Sequence, residues 1–319
     1  MGEFRFEGHT IVYDEYGDGD RVLVLIHGLL MNSSMFERLG PALAERGNRV
    51  LCVNLLGHGK SGGPHELPYY SMSSFADQVA ALLDHLGVDE AVIGGTSLGA
   101  NVSLEFASRT PERARALFME MPVLENALLW VALIFTPIMA MLQLGGPVLR
   151  FVAMATRSVP RSNYFLDLAL DFIRRDPARS ADVLQGLLLG RTAPIPKERR
   201  QIENPTLVIG HPADPLHPFS DADMLVREMP NARLIDANSI LEWRISPARL
   251  DAELAAFLDE VWDEPRGGRR KASSNSKPKA TAKSKAKGRS NSKPKAGSGS
   301  NSKPKSSAKP RGKPGSSSR

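Results

Sequence analysis

The pentapeptide Gly95-Thr96-Ser97-Leu98-Gly99 joins a short apolar run, Ala91-Val92-Ile93, to a segment of helical spacing that begins at Leu98. A serine in such a strand-to-helix turn has its hydroxyl pushed clear of the chain, and the turn is so tight that the residues two before and two after it must be small. Gly95 and Gly99 meet that requirement. The helix that follows brings unpaired N–H groups and the positive end of its dipole beside the hydroxyl, where both favour a developing anion. The chemistry this permits is attack by Ser97 on a carbonyl, provided that a base takes the hydroxyl proton. Imidazole is the usual base, and the chain has seven histidines: His9, His27, His58, His65, His85, His211 and His217. A glycine-rich turn without catalytic duty is the plainer reading of the same five residues, and the strand and helix on either side weigh against it.

Holding such a turn still requires a stiff sheet. Val22-Leu23-Val24-Leu25-Ile26 and Val50-Leu51-Cys52-Val53 are unbroken apolar runs, the pattern of strands covered on both faces of a parallel sheet, and Phe36 to Arg46 between them has helical spacing. Phe4 to Phe6 and Thr10 to Tyr16 read as an opening hairpin. A helix near Phe75 to Leu86, the strand at Ala91, the helix from Leu98 to about Ser108 and a strand at Ala116-Leu117-Phe118-Met119 continue the alternation. Strand and helix in strict turn predict an α/β domain, a doubly wound and mostly parallel sheet with right-handed crossovers. Residues 122–200 interrupt it with helical, apolar sequence broken at Pro137, Gly145-Gly146-Pro147, Pro160 and Pro194-Ile195-Pro196. The alternation then resumes with Thr206-Leu207-Val208-Ile209, a helix near Ala222 to Glu228, Arg233-Leu234-Ile235 and a last helix from about Pro247 to Trp262. The expected organisation is a core of residues 1–121 and 201–264, a helical lid insertion at 122–200, and a disordered tail at 265–319.

Further stretches add detail. His27-Gly28-Leu29-Leu30 ends a buried strand ahead of the Ser97 turn, Asn54-Leu55-Leu56-Gly57-His58-Gly59-Lys60-Ser61 ends the next, and Asp214-Pro215-Leu216-His217-Pro218 follows the strand Thr206 to Ile209. In this order, with Gly95-Thr96-Ser97-Leu98-Gly99 between them, they resemble the α/β-hydrolase fold superfamily of esterase-like and lipase-like serine hydrolases, from Phe4 to about Val261. The resemblance implies that Ser97 is the nucleophile, that the backbone N–H groups of Leu29 and Leu98 form the oxyanion hole, that Asp214 is the acid of the triad, and that 122–200 is the family's variable lid. It makes His27 a structural histidine of its turn. Asn54 stands where the family usually has Asp.

The resemblance fails at one point. The triad histidine belongs on the loop after the last strand, and that loop, Asp236 to Arg244, has none. His217 is the leading substitute, because three residues after Asp214 in a turn is a spacing at which a carboxylate can orient an imidazole. A loop histidine packed between Pro215 and Pro218 is the competing reading. His58 is a second candidate, with a structural role the more usual one for its position. Glu120, ending the strand Ala116 to Met119, is an alternative acid or, with Glu125, a solvated or lid-anchoring charge. Glu242 and Arg244, beside Trp243, read as a local salt bridge.

Composition sets the outer limits. The net charge of +6 hides an asymmetry: Arg266 to Arg319 carries 18 Lys and Arg and no acid, leaving a net charge of about −12 for the rest. That segment repeats Ser-Asn-Ser-Lys-Pro-Lys from Ser274, Ser290 and Ser300 and has no large apolar residue, so it cannot bury a core. It offers nucleic acid or another polyanion, or an anionic membrane, a charge-driven contact; a solubilising extension is the alternative. Cys52 is the single cysteine, which excludes an internal disulfide and a thiolate metal cluster and, with an N-terminus lacking an apolar signal core, points to the cytoplasm. The apolar stretch Ala127 to Leu142 is sixteen residues with Pro137 in its middle, short of the roughly 20 that span a bilayer, and reads as a buried or lid helix pair. No metal or organic cofactor is expected. The sequence therefore predicts hydrolysis of an ester or similar acyl bond in a hydrophobic small molecule. The alternative is a catalytically impaired hydrolase fold that binds a hydrophobic ligand or a partner.

Overall fold

Apolar runs that do not alternate must be covered on both faces, and the computed structural model shows the cover. It describes residues 1–263, apart from the side chains of Tyr164, Phe165 and Leu168; the basic segment 265–319 lies outside the described residues. The strands are β1 Gly2–Phe6, β2 His9–Tyr16, β3 Arg21–Ile26, β4 Asn48–Asn54, β5 Ala91–Thr96, β6 Ala114–Glu120, β7 Thr206–Gly210 and β8 Ala232–Asp236. The described residues form one eight-stranded sheet in the order β1-β2-β4-β3-β5-β6-β7-β8. β1 and β2 make the antiparallel hairpin, β2 runs antiparallel to β4, and the pairings from β4 to β8 are all parallel.

The helices are α1 Leu39–Ala44, α2 Met72–His85, α3 Leu98–Arg109, α4 Leu128–Leu144, α5 Gly146–Ala155, α6 Tyr164–Ile173, α7 Pro177–Leu189, α8 Pro196–Arg199, α9 Phe219–Glu228, α10 Glu242–Ile245 and α11 Ala248–Asp263. Successive residues of a strand point to opposite faces, so β3 feeds two cores at once. Val24 and Ile26 pack with Val79 of α2 and Val102 of α3 on one face. Leu23 and Leu25 pack with Leu43 of α1 and Leu254 and Leu258 of α11 on the other.

Helices α4 to α8 lie between β6 and β7 in the chain. The break expected at Pro137 does not occur, since α4 runs through it without interruption. Pro137 and Leu133 both lie on the exposed side of α4, where water can take the carbonyl that the ring leaves without a donor. The real break is at Gly145, where the segment Gly146–Ser158 turns away from α4 by 86°. No single helix among the described residues is long and apolar enough to cross a membrane, although this bent pair together has the length and composition.

Two buried charges fasten the ends of this inserted stretch. Asp221, on α9, accepts the N–H groups of Leu124 (2.7 Å), Asn126 (3.1 Å) and Ala127 (3.2 Å), holding the chain as it enters α4. Arg199 has its guanidinium wholly enclosed, bonded to Glu125 at 3.0 and 3.1 Å, to Glu228 of α9 and to the Pro194 carbonyl at 2.9 Å. Both ends of the insert thus meet on α9.

Replacing Asp221 with Ala leaves three amides without their acceptor and should cost about 3 kcal/mol in urea unfolding, with faster proteolysis within 122–200. Asp223→Ala, which breaks only an exposed pair with Arg227 at 2.7 Å, should stay within about 0.5 kcal/mol of wild type.

Candidate active site

Four parallel strands end side by side, and after each comes a non-glycine residue with positive φ: Leu30 (58°) after β3, Ser97 (54°) after β5, Met121 (55°) after β6 and Ala213 (59°) after β7. Such backbone is sparsely populated and persists only where its surroundings hold it. At Ser97 the holding group is the carbonyl oxygen of Ile26. A Cβ on Gly95 would lie 2.1 Å from it, and one on Gly99 2.0 Å from it. The two glycines therefore allow β3, β5 and α3 to meet at one point, with Ser97 at the N-terminus of α3 and its N–H donating to the Glu120 carbonyl at 2.8 Å.

The loop after β7 faces this turn. Nε2 of His217 lies 2.9 Å from Oγ of Ser97, and Nδ1 of the same ring lies 2.9 Å from Oδ2 of Asp214. The other carboxylate oxygen of Asp214 accepts the N–H groups of Leu216 at 2.8 Å and His217 at 3.0 Å. Burial alone would raise the Asp214 carboxyl, but the His217 ring and these two amides outweigh it and hold it below the ordinary range. An ionised Asp214 fixes the tautomer: Nδ1–H donates to the carboxylate, and Nε2 is left to accept the Ser97 hydroxyl proton. A hydroxyl, imidazole and carboxylate in line are able to transfer that proton as the hydroxyl oxygen attacks. Leu29 and Leu98 line the same cavity as Ser97 and His217.

That cavity measures about 200 Å³ and is mostly apolar. Leu128, Val131, Ala132 and Phe135 of α4 and Leu184, Leu187 and Leu188 of α7 form its walls. Arg175, after α6, ties the inserted helices to two core turns by donating to the carbonyls of Met31 at 3.3 Å and Gly57 at 2.7 Å; burial, with Arg179 nearby, lowers it to about 10.

The other histidines beside these turns serve the backbone. His27 is fully buried, donates from Nδ1 to the Gly28 carbonyl at 2.8 Å and accepts the Leu55 N–H at Nε2 at 3.2 Å; burial, with Arg175 adding to it, lowers it to about 4. His58 lies against the His27 ring at 4.6 Å, and burial and His27 push it well down. Asn54, in place of the family's Asp, accepts the Ser33 N–H at 2.9 Å and donates to the Ser33 hydroxyl at 3.0 Å, joining the turns after β3 and β4.

Glu120 lies under the Ser97 turn, where its carboxylate accepts the Thr96 hydroxyl, meets Arg244 at 2.9 Å and lies 3.2 Å from Nε2 of His211. Burial alone would raise it, but Arg244, His211 and Thr96 together hold it at about 2. His211 is opposed by burial and raised by Glu120. The expected Glu242–Arg244 pair is not formed. Glu242 takes Arg249 at 2.7 Å, while Arg244 reaches across to Glu120, because the loop after β8 closes the underside of the site. Trp243 fills that underside, buried against Phe118 with ring centroids 5.3 Å apart.

Residues 21–136 match the family model for the alpha/beta hydrolase fold, on a strand order that carries the sheet of Ser97. The described residues have the α/β-hydrolase fold. It is 32% identical over 111 residues to the AB hydrolase superfamily protein YisY of Bacillus subtilis (strain 168), which covers 34% of this chain and 40% of that protein. It is 33% identical over 110 residues to bifunctional epoxide hydrolase 2 of Mus musculus, covering 34% of this chain and 20% of that protein. These matches span less than half the length of either relative. The enol-lactonase of Burkholderia xenovorans LB400 shares the fold over 81% of this hydrolase-fold chain and all of its own length, with a TM-score of 0.67 at 19% identity.

A carboxyl held low in the folded state contributes stability that is present above its ordinary value and lost as pH falls through its folded one; a raised histidine loses its share as pH rises. Glu120→Gln should therefore cost about 3 kcal/mol near neutral pH. In thermal unfolding the gap to wild type should narrow as pH drops from about 4.5 towards 2, where wild-type Glu120 is protonated too. A gap that stays constant over that range would show that Glu120 is not ionised in the fold.

Proposed function

We propose that this chain is a serine hydrolase that cleaves an ester or similar acyl bond of a hydrophobic small molecule. The observation that carries this reading is the 2.9 Å approach of the His217 Nε2 to the Ser97 hydroxyl, with Asp214 on the other ring nitrogen at 2.9 Å. In the proposed reaction Ser97 Oγ attacks the carbonyl carbon as its proton passes to His217. The N–H groups of Leu29 and Leu98 hold the negative oxygen, an interaction worth on the order of 10²–10³ in rate per donor. His217 then gives its proton to the departing alkoxide, and a water molecule, deprotonated by the same imidazole, releases the acid from Ser97.

Residues 122–200 act in this scheme as a lid over the core of 1–121 and 201–264. The apolar walls of the cavity favour an acyl chain over a sugar or a phosphate. Similarity to a protein named an epoxide hydrolase fits hydrolysis as the type of reaction. A cytoplasmic location, suggested by the lone buried Cys52, belongs to the same proposal. So does polyanion binding by the 18 basic side chains of 265–319.

A fluorophosphonate probe, read by peptide mass spectrometry, should label Ser97 in the wild type and lose labelling in Ser97→Ala and His217→Ala. With p-nitrophenyl butyrate as substrate, Asp214→Asn should lower kcat on the order of 10³–10⁴-fold. Folded wild type that neither takes the probe nor turns over the ester would replace this reading with a binding protein.

A further inference from the structure

Between Glu125 and Asp167 the chain has no carboxylate, and its charged residues there are Arg150, Arg157 and Arg161. This is the stretch that forms α4 and α5, and neither helix contains a fully buried residue. One side of α4 faces the cavity of Ser97 through Val131 and Phe135. The opposite side holds Leu129 (65% exposed), Trp130 (49%), Leu133 (57%) and Leu144 (86%), and α5 adds Val148 (67%) and Phe151 (64%). On α4 the exposed leucines recur along one face, at steps of four and then eleven residues, so they make a stripe. Six large apolar side chains, each about half exposed or more, go beyond the singly scattered apolar residues ordinary on a monomer's surface.

The charges on these helices and the turn after them are all arginine. Arg161 is taken by Asp171, while Arg150 has an exposed, 3.8 Å approach to Asp176. The apolar side chains with Arg150 and Arg157 therefore suit contact within a negatively charged setting. A second copy would bring arginines against arginines, a like-charge contact that costs rather than stabilises. We propose that the outer face of α4 and α5 docks on an anionic phospholipid surface, its apolar side chains entering the headgroup–acyl boundary and Arg150 and Arg157 meeting lipid phosphates. Since the inner side of α4 forms a wall of the cavity, the docked helix separates bilayer from Ser97 by its own thickness. On the hydrolase reading, this hands the site a substrate already dissolved in lipid; docking itself does not depend on that reading.

The test is co-sedimentation of the full chain with vesicles of phosphatidylcholine alone or mixed with phosphatidylglycerol, at low salt and at about 0.5 M NaCl, where exposed charges are screened within a few ångström. Wild type should favour the mixed vesicles and stay bound at high salt, because the apolar contact is not screened. The triple variant Leu144→Ser, Val148→Ser, Phe151→Ser should bind about tenfold more weakly at high salt. Brominated lipid should quench wild-type tryptophan emission and fail to do so in Trp130→Phe, a readout that stands if the triple variant does not fold. Three results would overturn the proposal: no vesicle binding by wild type; binding equal in wild type and triple variant and lost in salt, which the basic segment alone would give; or a wild-type dimer that the triple variant dissolves. Vesicle binding with no probe labelling of Ser97 would uphold docking while removing the hydrolase.

Discussion

The carbonyl oxygen of Ile26, at the end of the central strand β3, lies where two neighbouring backbones must pass. Gly95 and Gly99 accept this contact because they have no Cβ, and a methyl group at either position would approach the oxygen to 2.1 or 2.0 Å. With β3, β5 and the start of α3 drawn together there, Ser97 is left with φ of 54° and its side chain directed away from the sheet. The strain recurs at Leu30, Met121 and Ala213, within four residues of the ends of three other strands. Parallel strands finish at the same edge of a sheet, so the unusual backbone collects where ligands of open α/β sheets gather.

A second economy lies in the loop after β7. Asp214 holds both the turn and the imidazole of His217, using one carboxylate oxygen for two amides and the other for the ring. Placing both groups in four consecutive residues makes their mutual geometry a local matter, set by one turn, whereas a histidine on the loop after β8 would depend on the packing of β7 against β8. The loop after β8 is thereby released from the upper side of the site. Its side chains instead brace the lower side, with Trp243 against Phe118 and Arg244 on Glu120.

Much of this was legible in the sequence because it rests on local pattern. Gly-x-Ser-x-Gly between an apolar run and a helical segment locates the turn, and unbroken apolar strands announce a sheet covered on both faces. The approach of His217 to Ser97 was a matter of spacing plus a distance that only folding decides. Arg199, Asp221 and the group of Glu120, His211 and Arg244 left little trace. Each pairs residues far apart in the chain, and Arg199 sits in the run Lys197-Glu198-Arg199-Arg200, where nothing separates the buried guanidinium from the exposed ones. His211 did carry a signal, being a polar residue immediately past a buried strand. Pro137 misled in the other direction, since the rule that proline breaks a helix weakens where the freed carbonyl faces water.

Glu125 and Arg199 bracket the inserted helices, and their ion pair, shared with Glu228 of α9, brings the outgoing and returning chain to a single place on the core. A segment that leaves and re-enters through one doorway can change in length and sequence without asking anything of the sheet. The reacting groups proposed here, from Ser97 to His217, all lie outside that doorway on the core side. The insert is thus in the position of an interchangeable cassette: what the molecule admits can be rewritten while the edge that would act on it stays as it is.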